Sequence, residues 1–113
     1  MVEIFYLPEF LKQAKKLAKK YPSFPEDLRT FLCEIKDNPL AGVDLGGGIK
    51  KVRMAIKSKG KGKSGGAIVI TFNIAFNSDH NNITLLTIYD KSNRETISDN
   101  EIIALKKKVD NDS

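Results

Sequence analysis

The spacing of hydrophobic and polar positions changes several times along the chain, and each change marks an element. Residues 2–7 (VEIFYL) form a short, β-prone, largely apolar run closed by Pro8, which predicts a first strand. From Pro8 the period becomes helical. Phe10, Leu11, Ala14, Leu17, Ala18 and Tyr21 fall on one face, with Lys12, Lys15, Lys16, Lys19 and Lys20 turned outward. Pro22 ends this helix, and Ser23 with Glu26 three residues on predicts a capping box that opens a second one. Leu28, Phe31, Leu32 and Ile35 form the second helix's buried stripe. Cys33 lies just off that stripe, a position suited to a small buried hydrophobe rather than a nucleophile. Asn38-Pro39 stops the helix.

Residues 40–48 (LAGVDLGGG) read as a turn-rich connection. Gly46-Gly47-Gly48 at their end are no phosphate-binding loop, because that motif ends in Gly-Lys-Ser/Thr and opens a helix, whereas these lead into an alternating strand at 49–57. In that strand Val52, Met54 and Ile56 face one way while Lys51, Arg53, Ala55 and Lys57 face the other. Residues 58–66 (SKGKGKSGG) are too rich in glycine for regular structure and join this strand to the next. Residues 67–76 (AIVITFNIAF) are apolar on both faces, as an interior strand requires. A polar turn at 77–82 holds His80, to which no role is assigned. The strand at 83–91 (ITLLTIYDK) then places Tyr89 and Lys91 on one face. Ser98 and Glu101 repeat the capping signature ahead of a short helix carrying Ile102, Leu105 and Val109, whose Lys106, Lys107 and Lys108 suit its C-terminal dipole. The order β-α-α-β-β-β-α predicts one α+β domain over residues 1–113, a mostly antiparallel four-stranded sheet packed by the two N-terminal helices.

Composition narrows the chemistry. At 113 residues a two-domain enzyme is excluded, and the single cysteine excludes an intramolecular disulfide or a multi-cysteine metal site. No apolar run is long enough to span a bilayer and the N-terminus has no signal pattern, so a soluble, cytoplasmic protein is expected, without a membrane partner. Lys and Arg number 19 against 14 Asp and Glu, and the excess is concentrated. Between Asp44 and Asp79 there is no acidic residue, while Lys50, Lys51, Arg53, Lys57, Lys59, Lys61 and Lys63 all fall in that interval. Such a cluster is either a solvated basic loop or an anion-binding surface. Nucleic acid is favoured over acidic lipid, because no amphipathic helix accompanies the cluster.

The strings Ile49-Lys50-Lys51-Val52-Arg53, Lys59-Gly60-Lys61-Gly62-Lys63-Ser64-Gly65-Gly66 and Leu85-Leu86-Thr87-Ile88-Tyr89-Asp90-Lys91 closely resemble the RelE superfamily of bacterial toxins, and within it the HigB-type branch. The likeness covers nearly the whole chain. It implies a toxin of a type II toxin–antitoxin module, a metal-independent and cofactor-free endoribonuclease that enters the ribosomal A site and cuts translated mRNA. The ribose 2'-hydroxyl would attack the neighbouring phosphate, leaving a cyclic phosphate and a free 5'-hydroxyl. A cognate antitoxin protein is the implied partner. Carried over by position, Arg53, Lys57, Lys59, Lys63, Tyr89 and Lys91 are the implied catalytic residues, with Lys50, Lys51 and Lys61 binding RNA. Clustered lysines suit a base and phosphate ligands, arginine a bidentate hold on the transition state, and tyrosine the stacking of a base. One position departs from the pattern: where the family commonly has an arginine after Gly-Gly, this chain has Ile68. That departure predicts impaired cleavage. It also leaves open a catalytically inactive RNA- or ribosome-binding module, or an antitoxin-binding protein, of the same fold.

Overall fold

The computed structural model describes residues 1–60, 65–75, 79–94 and 96–111. Strand β1 (Val2–Tyr6) leads into helices α1 (Pro8–Lys20) and α2 (Phe24–Asp37). Strands β2 (Val43–Gly46), β3 (Ile49–Met54), β4 (Ala67–Ala75) and β5 (Asn81–Asp90) follow, and α3 (Asp99–Asn111) closes the chain. The α+β class and both N-terminal helices are as the sequence predicts. The sheet differs. It has five strands in the order β1-β5-β4-β3-β2, and β1 pairs parallel to β5 while the other neighbours are antiparallel. The additional strand, β2, lies in the segment read as a connection; it is four residues long and exposed throughout, too short for its apolar-polar alternation to stand out among the flanking glycines. Gly46 to Gly48 form the turn between β2 and β3.

The sheet is buried on both faces. Val52, Met54, Ala67, Val69, Ile83, Leu85 and Ile88 pack beneath Phe10, Ala14 and Leu17 of α1 and Phe24, Phe31 and Ile35 of α2. On the opposite face Ile49, Ile68, Ile70, Phe72, Leu86 and Tyr89 pack with Ile97 and with Ile102 and Leu105 of α3. The central position of β4 follows from its two-sided apolar sequence, since only a strand flanked by strands and covered by helices can bury both faces.

Two local expectations are corrected. Ser23 precedes α2, but its hydroxyl makes no cap hydrogen bond; it donates to Asp27 and accepts from the Ser58 N–H, so a tertiary contact has displaced the capping box. Cys33 is exposed rather than buried. At α3 the serine half of the second box forms: Ser98 Oγ accepts the Glu101 N–H, and its hydroxyl donates to the Glu101 carboxylate, both at 3.2 Å.

Ile70 is fully buried in the middle strand, whereas Leu45 is exposed on the edge. Chemical denaturation should therefore register a loss of about 2–5 kcal/mol for Ile70→Ala and no more than about 0.5 kcal/mol for Leu45→Ala.

Candidate nucleic-acid interface

Three residues of the implied site share one row across the sheet: Arg53 on β3 faces Ile68 on β4, and Ile68 faces Tyr89 on β5. Lys51, Ile70 and Thr87 form the next row. Tyr89 reaches this face through an irregularity. Ile70 pairs with Thr87 but Thr71 pairs with Leu85, so Leu86 is an extra residue in β5. This bulge inverts the alternation, turning Tyr89 toward α3 and Asp90 toward α1, where strict alternation from Ile83 and Leu85 would do the reverse.

The row is only partly open. Arg53 is exposed, but Ile68 retains 1% of its accessibility under the α3-side cluster. The Tyr89 hydroxyl is buried without a hydrogen-bond partner among the described residues, and the Arg94 guanidinium lies 5.4 Å from the ring centroid. Burial pushes the Tyr89 phenol up from its usual range, opposed by the positive charge of Arg94. Arg94 is itself held by Glu101 at 2.9 Å. Two clefts flank the row. One of about 450 Å³ lies between α1, the end of β5 and α3, and is lined by Tyr89, Asp90 and Arg94 among others. The other, of about 470 Å³, lies between α2, β2 and β3 and includes Lys51 and Arg53.

Lys59 lies elsewhere. Residues 57–59 form a single 3-10 turn, from which Lys59 points inward to Asp90. The Nζ–Oδ1 distance is 2.6 Å, and the side chains are 5% and 1% exposed. Lys59 also donates to the Gly66 carbonyl at 3.2 Å and to Ser92 Oγ at 2.8 Å, and lies over the Tyr21 ring. Asp90 further accepts from the Tyr21 hydroxyl at 2.5 Å, the Ser92 N–H at 2.8 Å and Lys20 at 3.5 Å. Burial alone would raise the Asp90 carboxyl; the hydrogen bonds from Lys59, Tyr21 and Ser92, with the Lys59 charge, outweigh it and hold the group well below the usual carboxylate range. Lys59 is ion-paired to Asp90 and hydrogen-bonded to Gly66 and Ser92 within the fold. Its ammonium donors are committed within the fold and it has little surface left to offer a phosphate.

The same turn displays Lys57. Its backbone N–H donates to the buried Asp27 at 3.0 Å, and the Ser58 N–H donates to Ser23 Oγ at 2.8 Å, while the Lys57 side chain is exposed. Gly66 closes the far side of the loop where only glycine fits, because a Cβ there would stand 2.1 Å from the Met54 carbonyl oxygen. Lys50 is ion-paired with Asp44 at 3.6 Å and Lys91 is half-buried just beyond β5. Lys61 and Lys63 lie outside the described residues. The basic interval is therefore less uniform than its sequence: Asp44 and Asp90 neutralise two of its cations, and Lys51, Arg53 and Lys57 carry its open charge among the described residues. The acidic partners Asp27 and Asp90, with Tyr21 and Arg94, were not picked out from sequence. The one available signal was an aspartate following an apolar strand in Leu85-Leu86-Thr87-Ile88-Tyr89-Asp90. Among the described residues no cluster of His, Cys, Asp or Glu could hold a metal ion, and no helix is long and apolar enough to cross a membrane.

The family model described as the RelE toxin of the RelE / RelB toxin–antitoxin system matches residues 4–111, and the chain belongs to that family. Its members are toxins of toxin–antitoxin pairs and generally ribonucleases, which implies an antitoxin partner.

The Asp90 carboxyl is depressed in the folded state, so its stabilising contribution is complete above the unfolded value near 3.8 and fades as pH falls below it. Urea denaturation should show wild-type stability falling between about pH 4 and about pH 2 more steeply than that of Asp90→Asn.

Proposed function

We propose that the protein is a ribosome-dependent mRNA endoribonuclease of the HigB-like branch, working without a metal, whose cleavage is weakened by Ile68. The observation that carries this reading is the cationic edge formed by half-exposed Lys51 and exposed Arg53 and Lys57, beside a row that ends in Tyr89. On this reading the RNA backbone lies along β3 and the 57–59 turn. Arg53 donates a bidentate pair to the phosphate as it becomes pentacovalent, Lys57 and Lys91 hold its oxygens or take the 2'-hydroxyl proton, and Tyr89, packed under α3, supports the row from beneath. Lys61 and Lys63 add to the field that draws RNA in. The attack forms a bond from the 2'-oxygen to phosphorus and breaks the bond to the 5'-oxygen, which leaves as a hydroxyl.

A second reading, an RNA- or ribosome-binding module that does not cut, is favoured by two particulars. The position where the family commonly has arginine is a buried isoleucine, and the Tyr89 hydroxyl is enclosed. An arginine at this position would have to bury its charge beneath Ile97, Ile102 and Leu105 or lift them, so it would carry a stability penalty that isoleucine avoids.

Translation-coupled cleavage of an mRNA by purified protein separates the readings. Arg53→Ala should lower the rate about a hundredfold, the scale for losing one donor to a developing charge. Ile68→Arg should raise the rate despite a lower unfolding midpoint. Equal rates for the wild-type protein and the Ile68→Arg variant would remove position 68 from the site, and no cleavage by either would favour the binding module. Affinity for single-stranded RNA should fall steeply with salt, and Lys57→Ala should reduce the slope of log K against log salt by about one contact.

A further inference from the structure

The cluster around Asp90 joins parts of the chain that the proposed chemistry needs in register. Lys59 and Gly66 stand on the two sides of the lysine-rich loop, and one ammonium group binds both Asp90 and the Gly66 carbonyl. Asp90 follows Tyr89 directly, so their side chains point to opposite faces of the sheet, and the Leu86 bulge decides which face each one takes. The 57–59 turn is fixed a second time at its other side, where Asp27 holds the Lys57 N–H and Ser23 holds the Ser58 N–H. Tyr21, the residue ending α1, closes the cluster by donating its hydroxyl to Asp90.

We propose that Asp90, Lys59 and Tyr21 form a buried latch that fixes the 57–59 turn and the end of β5 relative to each other, making these three positioning residues for the RNA-binding edge. In its functional half this rests on the RNA reading above. The alternative is that Lys59 is simply one more phosphate ligand and Asp90 one more charge. The two ideas predict opposite signs. Replacing Asp90 with asparagine raises the net charge by one, so electrostatics alone would tighten RNA binding. A latch would instead loosen the turn, because a buried lysine that loses its carboxylate is left uncompensated and must move toward water.

The test compares the full-length wild-type protein, Asp90→Asn, Tyr21→Phe and Lys59→Arg by amide hydrogen exchange and by affinity for a single-stranded RNA oligonucleotide, with circular dichroism as the check on folding. Exchange is read at Lys59 and Gly60, whose N–H groups bond Ile56 and Lys57, and at Lys91, which bonds Gly66. In Asp90→Asn these amides should exchange at least about tenfold faster while those at the centre of β4 keep their protection, and RNA should bind about fivefold more weakly despite the added charge. Tyr21→Phe, which changes no charge, should move both readouts in the same direction by less. Lys59→Arg, which keeps the charge and several donors, should lie nearest wild type. If Asp90→Asn fails to fold, the Tyr21→Phe comparison decides. Unchanged exchange at the three amides, or tighter RNA binding by Asp90→Asn, would overturn the latch. A wild-type protein that binds no RNA would overturn the RNA reading and the functional half of the proposal together, while the exchange data still decide whether the latch exists.

Discussion

A carboxylate with almost no solvent exposure has to be compensated from within, and Asp90 meets that requirement with Lys59, Tyr21, Ser92 and Lys20. Lys20 and Tyr21 come from the end of α1, Lys59 from the turn after β3 and Ser92 from beyond β5, and Lys59 also binds the Gly66 carbonyl ahead of β4. The end of α1, the turn after β3, the start of β4 and the residues beyond β5 are thereby drawn to one point. Breaking a buried pair of this kind is far more damaging than its net contribution suggests, because the remaining charge is stranded. This constraint explains why the glycine-rich loop leaves and rejoins the sheet at defined places. It also explains why one of the lysines in that loop is unavailable to a ligand.

Division of labour among the cations follows. A run of like charges read along the chain suggests one cooperative field, but folding sorts its members by what they meet. Lys50 meets Asp44 across the β2–β3 pairing, and Lys59 meets Asp90. Lys51, Arg53 and Lys57 carry exposed or half-exposed charge on β3 and the turn after it. Arg53 borders the cleft under α2 and Tyr89 borders the cleft beside α1, so the row they share with Ile68 bridges two concavities of similar size. The middle of that row is closed by α3, whose Ile102 and Leu105 make Ile68 part of a core. An isoleucine there is thus explained by packing alone, whatever its effect on catalysis.

Much of this architecture was legible in the sequence because period and burial coincide. The Lys-faced helix, the alternating β3 and the two-sided β4 each carry a pattern that only one environment satisfies. What escaped has a physical reason in each case. Strand β2 is exposed and apolar by turns, so nothing in Val43-Asp44-Leu45-Gly46 distinguishes it from a loop until β3 offers an edge. The Leu86 bulge shifts pairing by one residue in Ile83-Thr84-Leu85-Leu86-Thr87-Ile88, a stretch buried on both faces where each face accepts leucine, isoleucine or threonine. The Ser23 hydroxyl was diverted from capping by Ser58, thirty-five residues away. Likewise, the acid-free interval from Asp44 to Asp79 gave no hint that Asp90 would reach back into it. Local chemistry identified which residues are basic, and tertiary contact determined which remain free.

The central claim is that Arg53 and Lys57 face RNA while Lys59 is committed to the fold. Side-chain nitrogen NMR during titration with a single-stranded RNA oligonucleotide tests it most directly, because guanidinium and ammonium signals report individual partners. The Arg53 and Lys57 signals should shift on saturation, and the Lys59 ammonium signal should stay at its free-protein position. A shift confined to Lys59, with Arg53 and Lys57 unmoved, would contradict the account.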